Sequence, residues 1–352
     1  MKQRLQELDA LRGFAALSVV LFHITMIRKD LYLQFTYGVT GVDLFFIISG
    51  FVIFLTINRT THWKDFVLNR FIRLYPTYWL CVSFTVFLVL VVKLFTGQEV
   101  NQLLPQYIIN LSMFQHYFNV KDLDGSYWTL IIEMLFYIAI LFIWVAKKIE
   151  RIEVVGYAAL GLVLIDDIII EQYVPSLYRS IEALLPILKH LPMFLAGILF
   201  YKIKFEGETN QRYFGLAFCF GAALVLADDL WSSAALSLIE YGSIIFIYFV
   251  VWLLYVRDRL GFIVSKPALF FGRISYSLYL IHQFLSIGVI IPFMTNRLHL
   301  NFTAAALTAL VVSIGIASFI TIYFEEPVIK RLRQKVKERA ALRAGKASAV
   351  NI

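Results

Sequence analysis

The 352-residue chain is poor in what a soluble enzyme carries. Only 16% of its residues are charged, against about 25% in an ordinary soluble domain. Cysteine is nearly absent: Cys81 and Cys219 each lie inside an apolar run, which argues against a disulfide framework and for two small packing residues. None of the six histidines has metal-ligand spacing to another histidine, a cysteine or a carboxylate, so no metal site is expected. There is no G-x-S-x-G elbow, no P-loop and no dinucleotide fingerprint, which disfavours a soluble-type hydrolase or an ATPase. No small-x-small cleavage site follows the first apolar stretch, so that stretch is expected to be retained. No linker, internal repeat or soluble catalytic domain divides the chain, and any chemistry has to take place within the membrane.

What the chain has instead is apolar length. Hydrophobic residues make up 60% of it, and several runs exceed the ~20 residues that cross a bilayer. The pattern predicts an all-α, polytopic membrane helical bundle of ten spans: 8–27, 38–57, 75–95, 127–146, 152–170, 183–201, 213–228, 236–256, 268–292 and 302–324. Most of the 32 Lys and Arg residues fall on the side that also holds both termini, while the opposite loops hold only Arg28, Lys29, Lys121, Arg179 and Arg297. The positive-inside rule then puts both termini in the cytoplasm. The membrane domain is read as 1–327, ended by Pro327, with a basic cytoplasmic tail at 328–352. The net charge of +8 suits an anionic inner leaflet and calls for no nucleic acid. Thr60 to Leu74 reads as an amphipathic stretch on the inner side. Gly97 to Gly125 is the longest outer loop, and its apolar piece from Leu103 to Phe118 either dips back into the membrane or lies on it.

Charge inside apolar sequence is costly and marks function or a paired interior. Arg12 and His23 stand 11 residues apart in the first span, about 16 Å along the axis and close to one face. Arg70 and Arg73 form an R-x-x-R pair, neighbours on a helix, which suits phosphate oxygens or ordinary inner-face anchoring. Asp43, early in the second span, is a candidate partner for His23 that would fix its tautomer and raise its basicity. The alternative is a carboxylate at a helix N-terminus. Ser126 reads as the N-cap of the fourth span. Trp128 beside it fits an interfacial belt or a tunnel wall. Glu133 lies deeper and needs a partner; Tyr137 at i+4, Arg12 or a substrate hydroxyl are candidates. The ninth span packs Arg273, Ser275, Tyr276, Tyr279 and His282 into ten residues, with Arg273 and His282 facing opposite sides.

Five segments carry a resemblance. LDALRGFAALSVVLFH, GVDLFFIISGFVI, RFIRLYPTYW, GSYWTLIIEMLFY and RISYSLYLIH occur in this order from Leu8 onward, and the chain resembles the acyltransferase family 3 membrane proteins over nearly its whole length. The arginine–ten residues–histidine spacing and the R-x-x-R pair are that family's signature motifs. The resemblance implies transfer of an acyl group, usually acetyl, from cytoplasmic acyl-CoA to a hydroxyl of an extracytoplasmic acceptor, a carbohydrate or lipid-linked glycan. It implies a bacterial inner-membrane enzyme with no permanently bound cofactor, acetyl-CoA being a substrate. It makes His23 the essential histidine and associates Arg12, Arg70 and Arg73 with the donor. Asp43, Trp128, Glu133, Ser275, Tyr276 and His282 match recurrent positions of less defined role. Some relatives carry an added esterase-like domain; its absence from this chain points to a single-component transferase. Two other classes remain open on the residues alone: a carrier of a polar solute or lipid-linked sugar, and a scaffold whose polar residues only join helices.

Overall fold

The computed structural model describes residues 5–28, 34–60, 62–227, 236–336 and 338. Most of the tail expected at 328–352 lies outside the described residues, as do Lys2, Arg4 and Lys29. Twelve helices organise the described chain: α1 (Gln6–Thr25), α2 (Gly41–Ile57), α3 (Trp63–Thr96), α4 (Leu103–Asn110), α5 (Trp128–Val145), α6 (Ile152–Ile165), α7 (Pro175–Leu184), α8 (Leu191–Glu206), α9 (Asn210–Val225), α10 (Leu238–Val256), α11 (Lys266–Gln283) and α12 (Phe302–Ile320). Among the described residues there is no strand. Seven helices are long and apolar enough to cross a membrane, and α7 with α8, bent by 75° at their junction, makes up to eight. Two of the ten expected spans are not among these: α9 has only 16 residues, and α6, which continues through a π turn to Tyr173, carries Glu153, Asp166, Asp167 and Glu171.

Local chemistry sets the helix ends. Ser237 and Glu240 form a capping box at α10, Ser265 caps α11 with a proline in its first turn, and Asn301 caps α12. Each satisfies backbone donors that a helix start leaves free. Gly97 ends α3 in the left-handed conformation at φ 69°, which glycine adopts without steric cost.

Two expectations about segments are corrected, and a third segment is placed. The amphipathic stretch at Thr60 to Leu74 is no separate element: from Trp63 it is the first third of one 34-residue helix running straight through Pro76. Its apolar residues also divide, with Phe66 and Leu74 buried while Trp63, Val67 and Phe71 are exposed. Pro327 does not end the last span. The helix passes through a π turn at Thr321–Glu325 and runs on to Val336; the wider turn relieves the clash and lost bond that proline imposes one turn upstream. The outer loop folds back along α3: α4 descends beside it, and the Asn110 carbonyl accepts from Tyr78 at 2.7 Å, midway along α3.

Glycines set the closest helix crossings. α1 lies along α11 over most of its length, because a Cβ at Gly272 would stand 1.9 Å from the Asp9 carbonyl oxygen and one at Gly13 2.7 Å from that of Ala268. α2 meets α8 at Gly50 and Gly197, whose added Cβ atoms would lie 2.1 Å from the carbonyls of Phe194 and Ile47. Small residues are what let backbones approach where lipid offers no hydrophobic drive to associate. Gly272→Ala should therefore destabilise the protein by about 1–3 kcal/mol, seen as a lower unfolding temperature in detergent. Gly161→Ala, where nothing lies within 4 Å of the new methyl, should leave it unchanged or slightly raised. Equal behaviour of the two variants would contradict this packing.

Candidate active site

Eight of the residues singled out in the sequence line one cavity of about 120 Å³ between α1, α2, α3, α5 and α11: Arg12, Arg70, Arg73, Glu133, Tyr137, Ser275, Tyr276 and Tyr279. The R-x-x-R spacing turns both guanidinium groups to the same side of α3, and α1 adds the third. Arg73 is anchored by an ion pair with Glu325 and lies over the Tyr276 ring, 5.0 Å from its centroid. Glu325 is further held by Ser277, which donates to its second oxygen at 2.8 Å. Arg70 has no carboxylate of this kind. Its Nη2 donates to Thr56 at 3.2 Å, its plane lies 5.8 Å from the Tyr137 ring, and its Nε is buried without a partner. Arg12 pairs loosely with Asp9, 3.5 Å away and one turn back. The cavity thus gathers three cations and is lined by a single carboxylate, Glu133. That group accepts from Ser49 at 3.1 Å and from Tyr137, the i+4 neighbour that spacing suggested.

His23 is not held by Asp43. Gly41 meets the Ala15 carbonyl and Gly38 that of Ser18, so the antiparallel register sets Asp43 beside the first half of α1, roughly two to three turns from His23. Asp43 is buried, and its Oδ2 has no partner. The partner of His23 is His282: Nδ1 of the first lies 2.8 Å from Nε2 of the second. The protons can be assigned from the surroundings. His282 Nδ1 faces the carbonyls of Tyr279 at 2.9 Å and Leu278 at 3.2 Å, and only an N–H satisfies a carbonyl. Its Nε2 is then an acceptor, His23 Nδ1 donates to it, and the lone pair of His23 is left on Nε2. Arg273, as its spacing implied, turns away from His282 and pairs with Glu326 at 2.6 Å.

Neither histidine lines the arginine cavity. Its side toward the histidines is walled by Phe45 and Tyr279, in edge contact at 5.7 Å, with the Tyr279 hydroxyl tied to Thr129 at 2.7 Å. The opposite side of this barrier adjoins the histidines, the Tyr279 and His282 rings being 5.7 Å apart. Trp128 lies elsewhere, against the His190 ring and at the wall of a second, outer cavity.

Sequence reasoning missed two acidic groups. Glu325 stands in IYFEEPV, a carboxylate pair inside an apolar helix, and that pattern could have flagged it. Asp124, rather than Ser126, is the cap: its Oδ1 accepts from the Ser126 backbone at 2.9 Å and its Oδ2 from the Phe284 backbone at 2.8 Å, just where α11 widens into a π turn. Burial raises the Asp124 carboxyl above its ordinary value, against the nearby His282 and these hydrogen bonds, which lower it.

A family model described as the acyltransferase domain matches residues 5–322. A protein named "Putative acetyltransferase ORF330", from Acidianus two-tailed virus, is 23% identical over 283 residues, 77% of this chain and 80% of that protein. No solved structure gives a significant match.

Arg73→Ala should cost about 3–5 kcal/mol by leaving Glu325 buried and unpaired. Adding Glu325→Gln should recover most of that loss, read from detergent unfolding curves of the single and double variants. A double variant no more stable than Arg73→Ala would contradict the pairing.

Proposed function

The chain belongs to acyltransferase family 3, and from that premise we propose that it transfers an acetyl group from cytoplasmic acetyl-CoA to a hydroxyl of an extracytoplasmic carbohydrate. The reading takes both termini as cytoplasmic and the membrane as that of a bacterial cell. It is carried by one observation: three arginines, one of them with an unsatisfied N–H, surround a cavity whose far wall adjoins His282, and His282 in turn holds His23 by Nδ1 and leaves its Nε2 lone pair free. Coenzyme A has a polyphosphate head and a long thin arm. Arg12, Arg70 and Arg73 would hold the head, guanidinium groups being suited to paired phosphate oxygens. A cavity of about 120 Å³ has room for the acyl end of the arm and a few waters.

In the proposed step His23 Nε2 takes the proton of the acceptor hydroxyl as its oxygen attacks the thioester carbonyl. The C–O bond forms, the C–S bond breaks, and the proton passes from His23 to the departing thiolate, giving the ester and free coenzyme A. His282 keeps His23 in the tautomer this requires. The thioester has to pass Phe45 and Tyr279, so their edge contact opens when the donor is bound. A carrier would also bury charge, and one span here is broken. None of the residues lining the cavity comes from that broken span, which favours the transferase.

Purified protein in lipid discs, given radiolabelled acetyl-CoA and surface polysaccharide stripped of its esters, tests this. His23→Ala should lose about 10²–10⁴-fold in transfer; retention of wild-type rate would overturn the assignment. Arg70→Ala should raise the KM for acetyl-CoA about tenfold or more with little change in that for the acceptor. Label held on the wild-type protein without acceptor, and absent from His23→Ala, would replace direct transfer by an acyl-histidine relay.

A further inference from the structure

On the outer face a second cavity, of about 310 Å³, lies between the segment after α4, the first turn of α5 and Pro186. It falls at the small end of the range for ligand pockets. α5 is the partition between it and the arginine cavity: Trp128, Ile131 and Ile132 face outward into the new cavity, while Thr129, Leu130 and Glu133 line the inner one. Consecutive residues of one helix turn thus serve two different spaces.

Its lining is mixed in a particular way. Gln115, Asn119, Lys121 and Asp122 provide amide, ammonium and carboxylate groups beside the indole of Trp128. Gln115 is 2% exposed. Its Nε2 donates to Asp122 Oδ1 at 2.6 Å, and its Oε1 is left without a partner. Buried amide oxygens are seldom left unpaired, and this one, just beneath the cavity wall, has capacity for one more donor. Burial also raises the Asp122 carboxyl above its ordinary value, against the Gln115 hydrogen bond, which lowers it. Lys121 and Asp122 oppose one another, and the His116 ring, which also lines the cavity, has its Nε2 held by the Ala183 carbonyl at 2.8 Å, so the lining selects neither a phosphate nor a basic group. Amides that both give and accept, a carboxylate that accepts, and one flat aromatic surface match a neutral ring bearing hydroxyls.

We propose that this outer cavity is a subsite for one sugar unit of the glycan acceptor, with its apolar face on Trp128 and its hydroxyls on Asp122, Gln115 and Asn119. The proposal rests on the transferase reading and adds to it a place for the acceptor apart from the donor. The placement is suited to a polymer. Asp122 precedes by two residues Asp124, which is fixed to the backbone beside His282. A unit held here leaves its neighbours near the histidine pair, so grip and chemistry act on different sugars of one chain.

The test uses the full-length protein in lipid discs and, as probe, the surface polysaccharide of the source cell stripped of esters by mild alkali. Binding is followed by calorimetry and transfer by label from acetyl-CoA. Trp128→Ala and Gln115→Leu should each weaken polysaccharide binding about tenfold or more, and Trp128→Phe should restore most of it. Acetyl-CoA KM should stay within about twofold of wild type. Wild-type protein that binds no polysaccharide, or a folded Trp128→Ala that binds it as tightly as wild type, overturns the subsite. Binding that depends on Trp128 in a protein transferring no acetyl group would keep the subsite and reject the transferase.

Discussion

Three guanidinium groups cannot share an apolar bundle without something to answer them. Arg73 has Glu325, itself held by Ser277, and Arg12 has a loose contact with Asp9. Arg70 has one threonine and the face of Tyr137, and one N–H with nothing at all. Burying a cation without a full set of partners costs far more than burying apolar surface returns. Such an arrangement is held by tight helix crossings elsewhere, and on the proposed function the phosphates of the donor supply the missing partner. The Gly13–Gly272 and Gly50–Gly197 contacts bring α1, α11, α2 and α8 to backbone distance, and that rigidity keeps the cavity from collapsing onto its own charges.

The same rigidity explains why the cavity and the histidines are separate. Tyr279 points its hydroxyl at Thr129 and its ring at Phe45, and its carbonyl receives the His282 N–H. One residue therefore walls the arginine cavity and orients His282, the partner of His23. Its carbonyl also accepts from Ser126 Oγ at 2.9 Å, so hydroxyl and carbonyl are both tied to the turn Ser126–Thr129 that opens α5, and on the proposed reaction movement of the ring is felt by that turn. Coupling between occupancy and catalysis is then local to that turn and a single turn of α11.

Much of this was legible in the sequence because burial of charge is rare in lipid. Arg12, Arg70, Arg73, Glu133 and Tyr137 were each visible as polar residues at helical spacing, and the structure gathers them. The Glu133–Tyr137 bond follows from i,i+4 geometry alone. What could not be read was register between helices. Asp43 and His23 were paired on the idea that both lie toward the outer face, yet a short 3-10 turn at Thr36–Thr40 and two glycine contacts slide α2 past that match. Pro327 misled for a related reason: sequence shows the breaker but not the π turn that accommodates it. Asp124 and Glu325 act through partners 160 and 252 residues away in the chain, and no local pattern reports such distances.

The choice of histidine over aspartate as the partner of His23 has a chemical consequence. A carboxylate against Nδ1 would place full negative charge on the base, in a site where apolar walls already make charge expensive. His282 offers only a lone pair, so the hydrogen bond is neutral, and the orientation of His23 is secured without an ion at rest. The carboxylate nearest the pair, Asp124, is one residue removed, spent on the backbone N–H of Phe284 and on Ser126. On the proposed reaction its field is felt by the cation that forms when His23 accepts a proton, while no proton need cross to it. Orientation and charge stabilisation, joined in a His–Asp dyad, are here divided between two residues. That division suits a base working at membrane depth, where a permanently charged partner would have to be solvated throughout the cycle and a distant one only during the step that needs it.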